Sequence, residues 1–300
     1  MNIVKNKKLY FLLSGIVIIP GLISLALFGL KPSIDFTGGS RLEFSYKKGV
    51  DEGAVRKIFA DRKAKVDSIN SVAPNTLSVR TAPLEQPVKT AIITSLKNKY
   101  PDIVEKSFDT VGPTIGAETE SNALKAVLIA SIAITLYIAF AFRKVSKPVA
   151  SWKFGVCAIA ALLHDILVVV GIFSILGWLF KVEVDSLFIT ALLTVMGFSV
   201  HDTIVVFDRI RENLGKNYSL PFEDVVNNSL LETLNRSLNT SLTVIIVLFA
   251  LLIFGGESIR WFVVALLAGI VSGTYSSIFN ASQLLVVWYE WDKRNKNKKK

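Results

Sequence analysis

The sequence predicts an all-α membrane bundle of six helices, with one α+β domain inserted after the first helix and lying outside the membrane. Three observations predict it. Of 300 residues, 51% are hydrophobic and only 19% are charged. The apolar residues gather into long runs instead of spreading as one-sided periodic faces. One long stretch, 31–122, breaks this habit and alternates between short strand-like and helix-like pieces. An apolar run of about 20 residues spans the hydrocarbon core as a helix, because lipid supplies no partners for backbone N–H and C=O groups.

The elements follow in order. Residues 1–8 are a basic N-terminus with Lys5, Lys7 and Lys8, and 9–30 are the first span. That run is longer than the core of a secretory leader and has no Ala-x-Ala-like site after it, so it reads as an uncleaved anchor. The further spans are 123–142, 154–179, 187–207, 238–254 and 261–288, with 208–237 expected as a loop and 289–300 as a basic tail. Lys and Arg concentrate at the N-terminus, in the loop with Arg143, Lys144, Lys147 and Lys153, and in the tail, whereas the loops with Glu183 and Asp185 or with Glu257 and Arg260 are not basic. The positive-inside bias therefore places both termini in the cytoplasm and 31–122 outside it. The same bias accounts for the net charge of +10 without nucleic acid and makes the tail a solvated cytoplasmic one, with surface contact to anionic lipid or ribosome the lesser reading.

Within 31–122 the pattern reads strand 41–46, helix 51–59, strand 65–69, strand 76–81, helix 85–100 and strand 104–110. Alternation through Leu77-Ser78-Val79-Arg80-Thr81 marks a half-buried strand, and Pro83 and Pro101 punctuate the second helix. The order βαββαβ is that of a ferredoxin-like domain. It carries no phosphate loop and no nucleophile with a base, so it reads as a docking module. Gly38-Gly39 is too short for a phosphate loop and reads as a turn.

Ionisable residues inside spans are costly and are functional candidates for that reason. Asp165 follows His164 in the third span, Asp202 follows His201 in the fourth, and Arg236 opens the fifth with Asn239, Thr240 and Ser241 behind it. Arg236 starts its helix on the side where the fourth span ends, and its long side chain is expected to reach inward to Asp202. Burial and a neighbouring guanidinium act in opposite senses on a carboxyl's protonation. This suits a proton relay through Asp202 gated by Arg236; the alternative is a static buried pair that orients helices. Asp165 is satisfied structurally by His164 as readily as it is used in coupling, and His201 is expected to face a wet cavity. Two histidines, both on spans, are too few for a metal-dependent phosphohydrolase, and no cofactor, metal site or catalytic residue is expected. The lone Cys157 is packing.

Ala265, Gly269, Gly273 and Ser277 recur every four residues on the sixth span and form a flat face for a close helix neighbour, from this chain or another. Gly255-Gly256 closes the fifth span and begins a short loop.

Several blocks together resemble one family. They are Ile34-Asp35-Phe36-Thr37-Gly38-Gly39, Val111-Gly112-Pro113, Asp202 through Asn213, Phe254-Gly255-Gly256, and Gly273-Thr274-Tyr275-Ser276-Ser277-Ile278. In this order they are similar to the SecF branch of the SecD/SecF protein-export family, within the resistance-nodulation-division class, over nearly the whole chain. The resemblance implies a SecD partner, work beside the SecYEG channel on a translocating polypeptide, and drive from the proton motive force or, in some relatives, sodium. It maps the coupling carboxylate to Asp202, the fifth-helix arginine to Arg236, and the third-helix His-Asp to Asp165. The chain departs from the family where Gly197-Phe198-Ser199-Val200-His201-Asp202 replaces Gly-Tyr-Ser-x-Asn-Asp, and where Leu231-Glu232 replaces Asn-Gln. A small-molecule or lipid transporter driven by ions is the competing reading; it would need a substrate path through this chain or its oligomer.

Overall fold

The computed structural model describes residues 2–47, 49–73, 75–143, 149–216 and 220–298. Lys144, Lys147 and the last two residues of the tail lie outside them. The chain divides into two compact units: a helical one of 1–30, 126–182 and 187–300, and an α+β one of 31–125 with 183–186.

Among the described residues six helices are long and apolar enough to cross a membrane. Helix α1 spans Lys7–Phe28. After the α+β unit come α5 (Pro113–Ala141), α6 (Ser151–Phe180), α7 (Ser186–Lys216) and α8 (Phe222–Phe254). The last crossing consists of α9 (Arg260–Ser276), a π-helical turn over Ser277–Ala281, and α10 (Ser282–Lys298). The helices outrun the apolar segments because helix formation needs only backbone partners, whereas spanning needs an apolar surface. Thus α5 begins with Pro113, a residue whose missing N–H costs nothing in a first turn, ten residues before the apolar run.

The stretch expected as a loop, 208–237, is the correction of most consequence: its described residues are mainly helical. Helix α7 runs on to Lys216 and α8 starts at Phe222. Ion pairs one turn apart, Asp208 with Arg211, Arg209 with Glu212 and Glu212 with Lys216, support the polar end of α7. Ile210, Leu214, Phe222, Val225, Val226 and Leu230 are buried in the same hydrophobic core as Phe142, Phe154 and Phe207. Ile3 and Val4 of the N-terminus enter that core too, and the Ile3 amide donates to Asn227 Oδ1 at 2.8 Å. The tail is likewise helical as far as Lys298, and it pairs Glu290 with Lys7 and Asp292 with Lys153.

The α+β unit contains α2 (Ile34–Thr37), β1 (Gly39–Ser45), α3 (Glu52–Asp61), β2 (Val66–Ala73), β3 (Thr76–Thr81), α4 (Gln86–Lys99) and β4 (Val104–Val111). The sheet is antiparallel in the order β2-β3-β1-β4. Leu42 and Phe44 of β1 alternate with Arg41 and Glu43, and this period of two turns the apolar side chains toward Val55 and Phe59 of α3 and Ile92 and Leu96 of α4. Asp51 caps α3 by accepting from the amides of Gly53 and Ala54. Residues 183–186, expected as a plain connecting loop, belong to this unit: Val184 donates to the Lys31 carbonyl and accepts from Ser33, both at 2.8 Å.

Candidate functional site

The stripe of small residues sets the geometry around it. A Cβ on Gly269 would collide with Val195 of α7, and one on Gly273 would lie 3.1 Å from the Ser199 Cβ. The next member, Ser277, exchanges a hydrogen bond with Thr203 at 2.8 Å. The stripe Ala265, Gly269, Gly273, Ser277 is therefore buried, and its middle and end meet Val195, Ser199 and Thr203 of the same chain. A second close crossing, between Gly21 of α1 and Gly171 of α6, gave no four-residue repeat to find it by.

Close approach of α7 and α9 brings hydroxyls to Asp165 of α6, whose surface is 0% exposed. Ser199 and Ser276 donate to its Oδ2 at 2.6 Å each, and Ser272 donates to Oδ1 at 2.7 Å. His164 Nδ1 lies 3.0 Å from Oδ1, while its Nε2 lies 3.0 Å from Ser14 of α1, which in turn bonds Asn280 of the π-helical turn. The carboxylate thus joins α6, α7 and α9 directly and reaches α1 through His164, with both of its oxygens engaged twice. A buried charge is tolerable when its acceptor sites are filled in this way.

Asp202 of α7 has the opposite character. It is 7% exposed, and Ser237 of α8 donates to its Oδ1 at 2.6 Å. Its Oδ2 is buried and has no hydrogen-bond partner among the described residues. One turn on, Ser241 of α8 bonds Thr274 of α9 at 2.5 Å and ties the two helices together.

The expected meeting of Asp202 with Arg236 does not occur in this arrangement. Arg236 is exposed and forms no ion pair among the described residues. Neighbouring helical residues point about 100° apart, so the face of α8 that turns Ser237 and Ser241 inward turns Arg236, Asn239 and Thr240 outward. His201 is exposed for the same reason, being one residue before Asp202. Arg209, at the polar end of α7, pairs with Glu232 and with Glu212, and Asn213 donates to Glu232 at 2.9 Å. Glu232 thereby joins the end of α7 to α8.

Ser237, Ser199, Ser272 and Ser276 were missed from sequence. Serine is common enough in spanning helices that only its spacing from a carboxylate would signal it, and that spacing crosses helices. Gln283 of α10 was also missed; it is fully buried with neither amide atom bonded among the described residues.

Comparison with known proteins places these residues in a family context. Residues 91–291 match the family described as protein export membrane protein SecD/SecF, C-terminal, and residues 23–50 match the SecD/SecF GG motif. A protein translocase subunit SecF from Thermobaculum terrenum is 51% identical over 97% of this chain and 95% of its own. The protein translocase subunit SecDF of Bacillus subtilis is 38% identical over 94% of this chain but 37% of its own. The crystal structure of SecDF from Thermus thermophilus, described as a translocon-associated membrane protein, superposes with a TM-score of 0.84 at 33% identity, over 97% of this chain and 39% of that one.

Proposed function

The chain belongs to the SecD/SecF family of protein export membrane proteins, and from that premise we propose that it works as a SecF-like subunit of the protein translocase. In this reading it acts with a SecD partner and uses the proton motive force to assist late movement of secretory polypeptides emerging from SecYEG. The observation that carries it is the half-satisfied Asp202: an intramembrane carboxylate with one oxygen held by Ser237 and the other unbonded. A group so placed takes up a proton or a cation at its free oxygen, and the resulting loss of charge changes what it holds. The membrane potential contributes about 2.3 kcal/mol per charge per 100 mV, enough to bias two packings of a helix. Protons are the coupling ion in this reading, and sodium would use the same oxygen.

The outward stripe of Arg236, Asn239 and Thr240 at the start of the fifth span supports partnership with another membrane protein, which offers polar partners that lipid tails do not. The exposed apolar side chains of α1 and α5 suit lipid. The order βαββαβ, with sheet order β2-β3-β1-β4, supports the ferredoxin-like reading of the outer domain, which would touch the emerging polypeptide. Placement in the cytoplasmic membrane with both termini inside rests on the distribution of Lys and Arg. The chain performs no covalent chemistry in this reading, binds no nucleic acid, and needs no cofactor beyond the coupling ion. Family membership does not favour a small-molecule or lipid transporter.

The test is pulse-chase maturation of a secretory precursor in cells depleted of the protein and restored with wild type or Asp202→Asn at equal level. Rescue by wild type alone is expected. Maturation unaffected by depletion would remove the export reading, and full rescue by Asp202→Asn would remove the coupling role.

A further inference from the structure

The segment Ile34–Gly39 is a sequence motif for which ion uptake at Asp202 gives no reason. Its geometry supplies one. The Ser33 hydroxyl caps the single turn α2 by accepting from the Asp35 amide. With that turn fixed, the Asp35 carboxylate accepts from both the amide and the hydroxyl of Ser186, at 3.0 and 2.7 Å. Ser186 is the first residue of α7, and a carboxylate there is favoured by the helix dipole.

A second grip lies alongside. Pro32 and Val184 form a parallel bridge, so the chain leaving α1 and the chain approaching α7 run side by side. Arg80, in β3 at the middle of the sheet, donates to the Pro32 carbonyl at 2.9 Å, to Glu183 Oε1 at 3.2 Å, and to the Thr37 hydroxyl. One planar guanidinium therefore joins both linkers to the sheet, a task for which its rigid fork suits it better than an ammonium. The start of α5 closes the same junction by backbone contact: a Cβ on Gly116 would lie 2.7 Å from the Gly38 nitrogen and 2.9 Å from the Phe36 oxygen.

Helix α7 has no break between Ser186 and Lys216. Asp202 lies sixteen residues after Ser186 (202 − 186) on that helix, about 24 Å at 1.5 Å per residue. An unbroken helix moves as a piece, so a shift at its carboxylate reaches its first turn. Resting on the reading of Asp202 as the coupling carboxylate, we propose that Asp35 and Arg80 are positioning residues: they hold the start of α7 to the α+β unit, so that ion uptake at Asp202 is delivered there as a movement.

Hydrogen exchange on the full chain in lipid nanodiscs tests this, with Asp202→Asn standing in for the protonated carboxyl. That substitution is expected to change amide exchange in 31–37 and 183–186 by about threefold or more, these being local openings that respond to what holds the segment. In chains that also carry Arg80→Gln or Asp35→Asn, the response to Asp202→Asn is expected to vanish, while β1 and β3 exchange as in wild type. A response that survives both substitutions, or no response in the otherwise wild-type chain, overturns the proposal. If Arg80→Gln also loosens β1 and β3, Arg80 is holding the domain together, the proposal fails for it, and Asp35→Asn decides the rest. The readout needs no export, so failure of the translocase reading in the precursor assay is told apart from failure here.

Discussion

The hydroxyl of Ser237 donates to one oxygen of Asp202 at 2.6 Å, and the other oxygen of that carboxylate is buried without a hydrogen-bond partner among the described residues. Asp165, on the neighbouring helix α6, has both oxygens engaged twice. Two carboxylates in one bundle thus stand in opposite conditions. One is saturated and ties helices together; the other retains capacity for a proton or a cation.

Ser237→Ala removes the hydrogen bond that Asp202 accepts. A hydrogen bond to a charged group is worth about 1.5–3 kcal/mol, so precursor maturation driven by this chain is expected to slow by about tenfold or more at unchanged protein level. Ser237→Thr keeps a hydroxyl and should stay near wild type in the same pulse-chase assay. Equal rates for the two variants would show that the bond has no part in coupling.

Asp165→Ala leaves three buried serine hydroxyls without their acceptor. At about 0.6–2 kcal/mol for each interhelical hydrogen bond, a loss of about 2–6 kcal/mol is expected in unfolding by SDS titration in bicelles. Asp202→Asn, which disturbs one such bond, should fall well inside that figure. A stability for Asp165→Ala within error of wild type would contradict the role of helix anchor.

Gly269→Ala places a methyl group where Val195 stands. Overpacking of this kind costs about 1–3 kcal/mol. Val195→Ala in the same chain should recover part of that loss, so the double variant is expected to be more stable than the sum of the two singles. Strict additivity in the same titration would mean that the contact between α7 and α9 is absent.

Gly38→Ala forces a side chain onto a backbone with φ +71° and to within 2.9 Å of the Pro113 Cα. With ψ at 173°, this is a backbone that essentially only glycine adopts, and it costs another residue about 1–3 kcal/mol. Faster proteolysis of the α+β unit is expected, with Gly49→Ala as control because a Cβ there meets nothing within 4 Å. Matching proteolysis rates for the two variants would argue against the close junction of α2 with α5.

Much of this architecture was legible in the residues. The apolar runs announced the six crossings because lipid imposes one length and one surface on every spanning helix. The strand 76–81 has the bounds its sequence predicts, but not the half-buried character: β3 lies inside the sheet between β2 and β1, and Thr76, Leu77, Ser78, Val79 and Thr81 are all buried. The stretch 208–237 was misread as a loop because its apolar residues, Phe222, Val225, Val226 and Leu230 among them, are too interrupted by polar ones to resemble a span. They form instead an amphipathic helix, which a search for continuous runs passes over.

What the sequence by itself determined is the six spans, the strands and helices of the inserted domain, and the few charges placed among them, because these follow from local rules: hydrocarbon thickness, backbone pairing, and the cost of an ionisable group in lipid. Only the tertiary structure decided which of those charges is satisfied and by whom. Asp202 was expected to meet Arg236 and instead accepts from Ser237, one residue and about 100° of helix away. A rotation of that size leaves composition and hydropathy unchanged and is set by how α7, α8 and α9 pack, with Gly269 and Gly273 fixing their approach. The partners of a buried carboxylate belong to that packing, and for that reason the chain order could name Asp165 and Asp202 but could not tell the saturated one from the free one.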